Sequence, residues 1–120
     1  MTISPERILI VDGDRYICFG LKGALEDLYS VTVAFSDAEA LQQVYQHHFD
    51  LAVVDYRLNS TDGISLAKNL RVAQPSLRII LMTAYDSPAV EEEALKQGFR
   101  YLVKPFSTHT LLQFIRECEE

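Results

Sequence analysis

Four apolar runs in this 120-residue chain each stop at a residue able to handle a phosphate. Ile8-Leu9-Ile10-Val11 stops at Asp12, Leu51-Ala52-Val53-Val54 at Asp55, Ile79-Ile80-Leu81-Met82 at Thr83, and Tyr101-Leu102-Val103 at Lys104. Short, continuously apolar runs fit strands buried on both faces, the habit of parallel sheets. Parallel strands bring their C-terminal ends to one edge, where open α/β sheets build their sites. Two carboxylates, a hydroxyl and an ammonium would then meet in one cleft, a set suited to Mg²⁺ and a phosphoryl group.

The segments between the runs carry helical spacing. Ile17, Leu21, Ala24, Leu25 and Leu28 predict a first helix from about Arg15 to Leu28. Val31, Val33 and Phe35 alternate with Thr32 and Ala34, as in a second, less buried strand. Ser36 and Glu39 form a capping-box pattern ahead of Ala40, Leu41 and Val44, the second helix. The third strand, Asp50 to Asp55, leads into a polar loop, Asn59 to Gly63. A third helix carries Ile64, Leu66, Ala67, Leu70 and Val72 and ends before Pro75. The fourth helix starts near Pro88 and stops at Gly98, and the fifth follows from about Thr108 with Leu111, Leu112, Phe114 and Ile115 inward. Five strands alternating with five helices imply a doubly wound α/β sheet covered on both faces, with the second and fifth strands as edges.

Hydrophobic residues make up 48% of the chain, enough for a real core. The size is that of one domain, residues 1–120, though a longer parent protein cut after Glu120 would look the same. A formal charge of −6 argues against a nucleic-acid surface. No signal peptide opens the chain and no apolar run approaches the ~20 residues of a membrane span, so a soluble, cytoplasmic protein is expected. Cys18 and Cys118 are expected as two thiols, because the helices carrying them run parallel and offset them along their axes. His47, His48 and His109 lack metal-ligand spacing and are expected at the surface.

The pieces Ile8-Leu9-Ile10-Val11-Asp12, Val53-Val54-Asp55, Asp62-Gly63, Met82-Thr83-Ala84 and Tyr101-Leu102-Val103-Lys104-Pro105-Phe106 together resemble a receiver domain of two-component response regulators. They occur in the family's order and spacing along essentially the whole chain. The resemblance implies a flavodoxin-like sheet of order 2-1-3-4-5. It implies that Asp55 is the phosphoacceptor, taking a phosphoryl group from the phosphohistidine of a sensor histidine kinase or phosphotransfer protein. A carboxylate suits that task because it is ionised near neutral pH and needs no base. Lys104 would pair with a carboxylate before reaction and a phosphoryl oxygen after it, with a cis peptide before Pro105. Thr83 would donate its hydroxyl to the phosphoryl group, and Tyr101 would be the rotameric switch that follows. The changed surface would be helix four, strand five and helix five, for a downstream effector or a homodimer. Such a protein is a self-phosphorylating phosphoacceptor rather than a turnover enzyme.

The metal site departs from the family. Receivers carry two adjacent acids after the first strand, and here the positions read Asp12-Gly13-Asp14. Asp12, Asp55 and the backbone carbonyl of Arg57 are the expected Mg²⁺ contacts. Gly13 removes one ligand, for which water can substitute at a loss of affinity. Asp14 is an alternative ligand, or the N-cap of the first helix. Asn59 and Thr61 replace the family's usual loop residues, while Arg57 and Tyr85 occupy positions that tune dephosphorylation.

Two other readings use the same residues. One is a pseudo-receiver, an interaction module independent of phosphorylation, favoured by Gly13. The other is a phosphatase, since Asp12-Gly13-Asp14 also resembles the Asp-x-Asp entry motif of haloacid-dehalogenase-type enzymes. Against the phosphatase stand Arg15-Tyr16 after the motif and the lack of a later acidic pair.

Overall fold

A computed structural model describes residues 6–118. The strands are β1 (Arg7–Val11), β2 (Ser30–Ala34), β3 (Leu51–Asp55), β4 (Arg78–Thr83) and β5 (Arg100–Val103). The helices are α1 (Arg15–Leu25), α2 (Asp37–Gln46), α3 (Gly63–Ala73), α4 (Pro88–Lys96) and α5 (Thr108–Cys118). All neighbouring strands pair in parallel, in the order β2-β1-β3-β4-β5, as expected.

The period-two alternation of the strands divides the interior into two cores. Leu9, Val11, Ala52, Val54, Ile79 and Leu81 point to one face, where Ala40 and Val44 of α2, Leu66, Ala67 and Leu70 of α3, and Ala94 of α4 cover them. Ile8, Ile10, Leu51, Val53, Ile80 and Met82 point to the other, under Cys18 and Leu25 of α1 and Leu111 and Ile115 of α5. This double burial is why β1, β3 and β4 are apolar without interruption.

Helix ends follow local chemistry. Ser36 Oγ accepts the Glu39 N–H at 3.1 Å, while Glu39 Oε2 accepts the Phe35 N–H at 2.6 Å, so the box closes on the residue before the cap. Gly98, at φ +79°, ends α4. Its N–H reaches the Leu95 carbonyl and the Phe99 N–H reaches that of Ala94, the paired bonds of a Schellman stop.

Three apolar residues depart from expectation. α1 ends at Leu25 rather than Leu28, because the N–H groups of Leu28 and Tyr29 both turn back to the Leu25 carbonyl so that the chain can enter β2. Leu28 is left 55% exposed. β2 stops at Ala34, and Phe35 lies beyond it, against the Arg15 guanidinium and the Phe19 ring. Val72, placed with the apolar residues of α3, is 80% exposed. Cys18 and Cys118 form no disulfide. No helix among the described residues is long and apolar enough to cross a membrane.

Candidate functional site

Sheet register decides which side chains meet. Val11 pairs with Val54, and Asp55 pairs with Met82, so Asp12 and Asp55 leave adjacent strands at the same level. Thr83 stands one step beyond, paired with Val103, and Lys104 one step further, its N–H bonded to the Thr83 carbonyl at 2.7 Å. The long lysine stem reaches back over that distance. Its Nζ donates to Asp12 Oδ2 at 2.8 Å and lies 3.1 Å from Asp55 Oδ1, so one ammonium bridges both acids. Asp12 is 3% exposed and Asp55 9%. The Lys104–Pro105 peptide is cis.

The electrostatics follow from this crowding. Burial raises the Asp55 carboxyl above its ordinary value, and the neighbouring Asp12 charge adds to it, with Lys104 pulling the other way. Burial on its own lowers Lys104, but its bonds to Asp12 and Asp55 outweigh that and hold the ammonium more firmly than usual.

Two details fix the acids in place. Cys18, one turn into α1, donates its thiol to the Asp12 carbonyl at 3.2 Å. Burial, with the nearby Asp12 charge, pushes that thiol up to about 11, so it stays protonated and able to donate. Gly63 opens α3 directly against the end of β3, its N–H 2.6 Å from the Tyr56 carbonyl. A Cβ there would lie 2.3 Å from the Asp55 carbonyl oxygen, so this position needs glycine.

Asp14 caps α1. Its Oδ1 accepts the N–H groups of Tyr16 at 2.9 Å and Ile17 at 3.4 Å, while its own N–H bonds Asp12 Oδ1 at 2.8 Å. Of its two readings the geometry favours the capping one. No cluster of three or more His, Cys, Asp or Glu that could hold a metal occurs among the described residues. Two buried carboxylates remain, and they fit Mg²⁺, which takes one or two carboxylates and keeps waters. At Gly13 a Cβ would meet only the Phe35 carbonyl, at 3.9 Å, so neither space nor backbone conformation requires the glycine.

Other predicted residues gather around the end of β4 and the loop that follows it. Thr83 is buried, and its hydroxyl donates to the Tyr85 carbonyl at 3.2 Å and accepts the Tyr85 N–H at 3.1 Å. Tyr101, half-buried, accepts the Ser87 N–H at 3.0 Å and donates to Asp86 Oδ1 at 3.2 Å. The Arg57 guanidinium stacks on the Tyr85 ring at 4.4 Å, joining the two positions to which the resemblance assigns tuning. The sequence singles out Arg57, Tyr85 and Tyr101 separately but shows neither pairing nor the part of Asp86. One pairing joins two loops and the other joins β5 to the loop before α4, proximities that no local pattern encodes. His47, His48 and His109 are exposed, and His48 Nε2 lies 3.1 Å from Asp50 Oδ1.

A family profile for the response regulator receiver domain matches residues 8–116. The chain belongs to that family. It is 39% identical over 113 residues to the transcriptional regulatory protein ZraR of Escherichia coli K12, covering 92% of this receiver and 26% of that protein. The receiver therefore spans about a quarter of the length of such relatives. Among solved structures, a CheY-like receiver domain protein from Methanospirillum hungatei JF-1 is 33% identical with a TM-score of 0.89, covering 95% of this chain and 93% of its own. A response regulator protein from Burkholderia pseudomallei, solved with a phosphorylated aspartic acid, a calcium ion and citrate, is 32% identical with a TM-score of 0.83. That match covers 89% of this chain and 64% of the other. This is a signalling domain of two-component systems.

Proposed function

We propose that the chain works as one phosphoacceptor module, in which Asp55 takes a phosphoryl group and the α4–β5–α5 surface changes in response. The observation that carries the proposal is the Lys104 ammonium held between two buried carboxylates at the edge where the strands end. A carboxylate oxygen of Asp55 attacks the phosphorus of a phosphohistidine on a kinase or phosphotransfer protein. The P–O bond forms as the P–N bond breaks, and the imidazole leaves with that electron pair. The Lys104 ammonium beside Asp55 favours the charged, nucleophilic form of its carboxyl, and Lys104 can pass from the carboxylate to a phosphoryl oxygen without leaving the cleft.

Asp12, Asp55 and the backbone carbonyl of Arg57 are the proposed holders of Mg²⁺. The metal would neutralise the charge of the incoming phosphoryl oxygens. With Gly13 in place of an acid, only two carboxylates are offered, and weaker metal binding is expected. The phosphorylated aspartic acid and the bound calcium of the Burkholderia relative support both assignments by likeness.

Thr83 is the proposed sensor. Its hydroxyl now bonds only its own loop, and a phosphoryl group on Asp55 gives it a stronger, charged acceptor. Tyr101 is the proposed follower, and Arg57 with Tyr85 would govern the approach of water to the acyl phosphate. An apolar cleft of about 370 Å³ beside Lys104, lined by Tyr16, Ile17, Leu21, Pro105 and Phe106, is a candidate seat for the phosphodonor protein. An effector or a second copy of the chain would read α4–β5–α5. Cytoplasmic work is proposed on the family's general habit.

Incubation with a small phosphodonor and Mg²⁺, followed by mapping of the adduct by mass spectrometry, separates the readings. Label on Asp55 supports the receiver, and absence of label at any Mg²⁺ concentration points to the pseudo-receiver, which Gly13 favours. Label on Asp12 with turnover would point to the phosphatase. The capping role of Asp14 and the Lys104 bond on Asp12 argue against that last outcome.

A further inference from the structure

The stretch from Ala84 to Ser87, between β4 and α4, is held at both ends. At its start the Thr83 hydroxyl bonds both backbone groups of Tyr85. At its end the Tyr101 hydroxyl bonds the Ser87 N–H and the Asp86 carboxylate. Ser87 is also the N-cap of α4, its Oγ accepting the Val90 N–H at 3.4 Å, with Pro88 in the first turn. The tyrosine is thus fastened to the residues that start α4. One of its two bonds uses a backbone group that almost any residue supplies. The other runs to a carboxylate at 3.2 Å and depends on the side chain of Asp86. Among the described residues no cation lies within ion-pair distance of Asp86.

We propose that Asp86 is a positioning residue, whose carboxylate anchors the Tyr101 hydroxyl at the N-terminus of α4 in the unphosphorylated chain and so sets how readily phosphorylation moves Tyr101. The inference rests on the receiver reading above. If Thr83 donates its hydroxyl to a phosphoryl group on Asp55 instead of to the Tyr85 carbonyl, Tyr85 loses that bond and the stretch as far as Ser87 is loosened from that side. The Asp86 bond opposes the movement, since its acceptor lies in the moving stretch and its donor belongs to β5. Removing the carboxylate lowers that opposition without touching Asp12, Asp55, Thr83 or Lys104. Asp86 is exposed, so its substitution leaves both cores intact.

The test uses the whole chain with 3-fluorotyrosine incorporated, the Tyr101 fluorine resonance being identified by its loss in Tyr101→Phe. Without phosphodonor, Asp86→Ala should move the resting resonance towards the position that the wild type reaches with excess phosphodonor and Mg²⁺. The expected shift in the resting equilibrium is about fivefold, the size of one ordinary net hydrogen bond. Asp86→Asn keeps an acceptor oxygen without the charge and should fall between the two. A resting resonance unmoved by Asp86→Ala overturns the proposal directly. If that variant moves the resonance while phosphodonor leaves the wild type unchanged, the switch reading fails and the inference falls with it.

Discussion

Gly63→Ala tests whether the phosphoacceptor's position depends on the close approach of α3 to the end of β3. A Cβ at residue 63 would lie 2.3 Å from the Asp55 carbonyl oxygen, 2.8 Å from Tyr56 Cα and 2.9 Å from the Asp55 carbonyl carbon. The first contact is about 1 Å short of normal van der Waals separation. All three partners are backbone atoms, so no side chain can rotate away, and either the first turn of α3 or the end of β3 must shift. Overpacking of this kind costs about 1–3 kcal/mol, from which alanine's better helix propensity returns up to about 1 kcal/mol. A net loss of about 1–2 kcal/mol lowers the melting temperature by about 4–8 °C in a domain of this size. The same shift moves Asp55 away from Lys104, now 3.1 Å off. A displacement of order 1 Å at a reacting group can slow phosphorylation about 100-fold. Urea unfolding and the initial rate of labelling from a small phosphodonor measure the two effects. Gly20→Ala is the control, because a Cβ there meets nothing within 4 Å, and it should stabilise α1 by up to about 1 kcal/mol. If Gly63→Ala matches the wild type in both stability and labelling rate, the argument from backbone contact is wrong.

Three further outcomes are expected. Gly13→Asp meets no steric obstacle and adds a charge near the metal; a further carboxylate about 4 Å from a dication, even with water screening, should tighten Mg²⁺ binding at least tenfold by titration, and equal affinity would refute the weakened-site account. Arg57→Ala and Tyr85→Ala should be non-additive in the lifetime of the acyl phosphate, with a coupling of about 0.5–1 kcal/mol, or two- to fivefold; additive effects would mean that the stack has no part in water access. The raised carboxyl of Asp55 contributes its full stability below its unfolded value, and that contribution is lost as pH rises through the higher folded value. Asp55→Asn should therefore be more stable than the wild type at pH 7, with the gap closing below the ordinary carboxylate range, and a gap unchanged by pH would contradict the assignment.

The strands and the edge where they end were legible because burial on both faces leaves uninterrupted apolar runs, and the residue after each run falls at the site by register alone. Helix spacing was legible except where exposed apolar residues mimic it. Leu28 continues the spacing of Leu25, yet the chain has already left α1 to reach β2. Val72 sits on the open side of α3, where a valine breaks no rule of packing. What the sequence could not supply were the pairings between distant segments. The Arg57–Tyr85 stack and the Tyr101–Asp86 bond join residues 28 and 15 positions apart, and they depend on how the loop after β4 lies against the loop after β3 and against β5 rather than on any period. The lysine bridge was only half visible. Lys104 at the right strand end was readable, but its simultaneous bonds to Asp12 and Asp55 follow from a two-step offset in register.

The central claim is that these strand ends form a phosphoacceptor cleft centred on Asp55. Intact mass of the chain after incubation with a small phosphodonor tests it most directly, with and without a metal chelator, for wild type and Asp55→Asn. The account predicts one added phosphoryl group on the wild type with Mg²⁺, little with chelator, and none on Asp55→Asn. Label that survives in Asp55→Asn, or a wild type that stays unlabelled at saturating Mg²⁺, would contradict it.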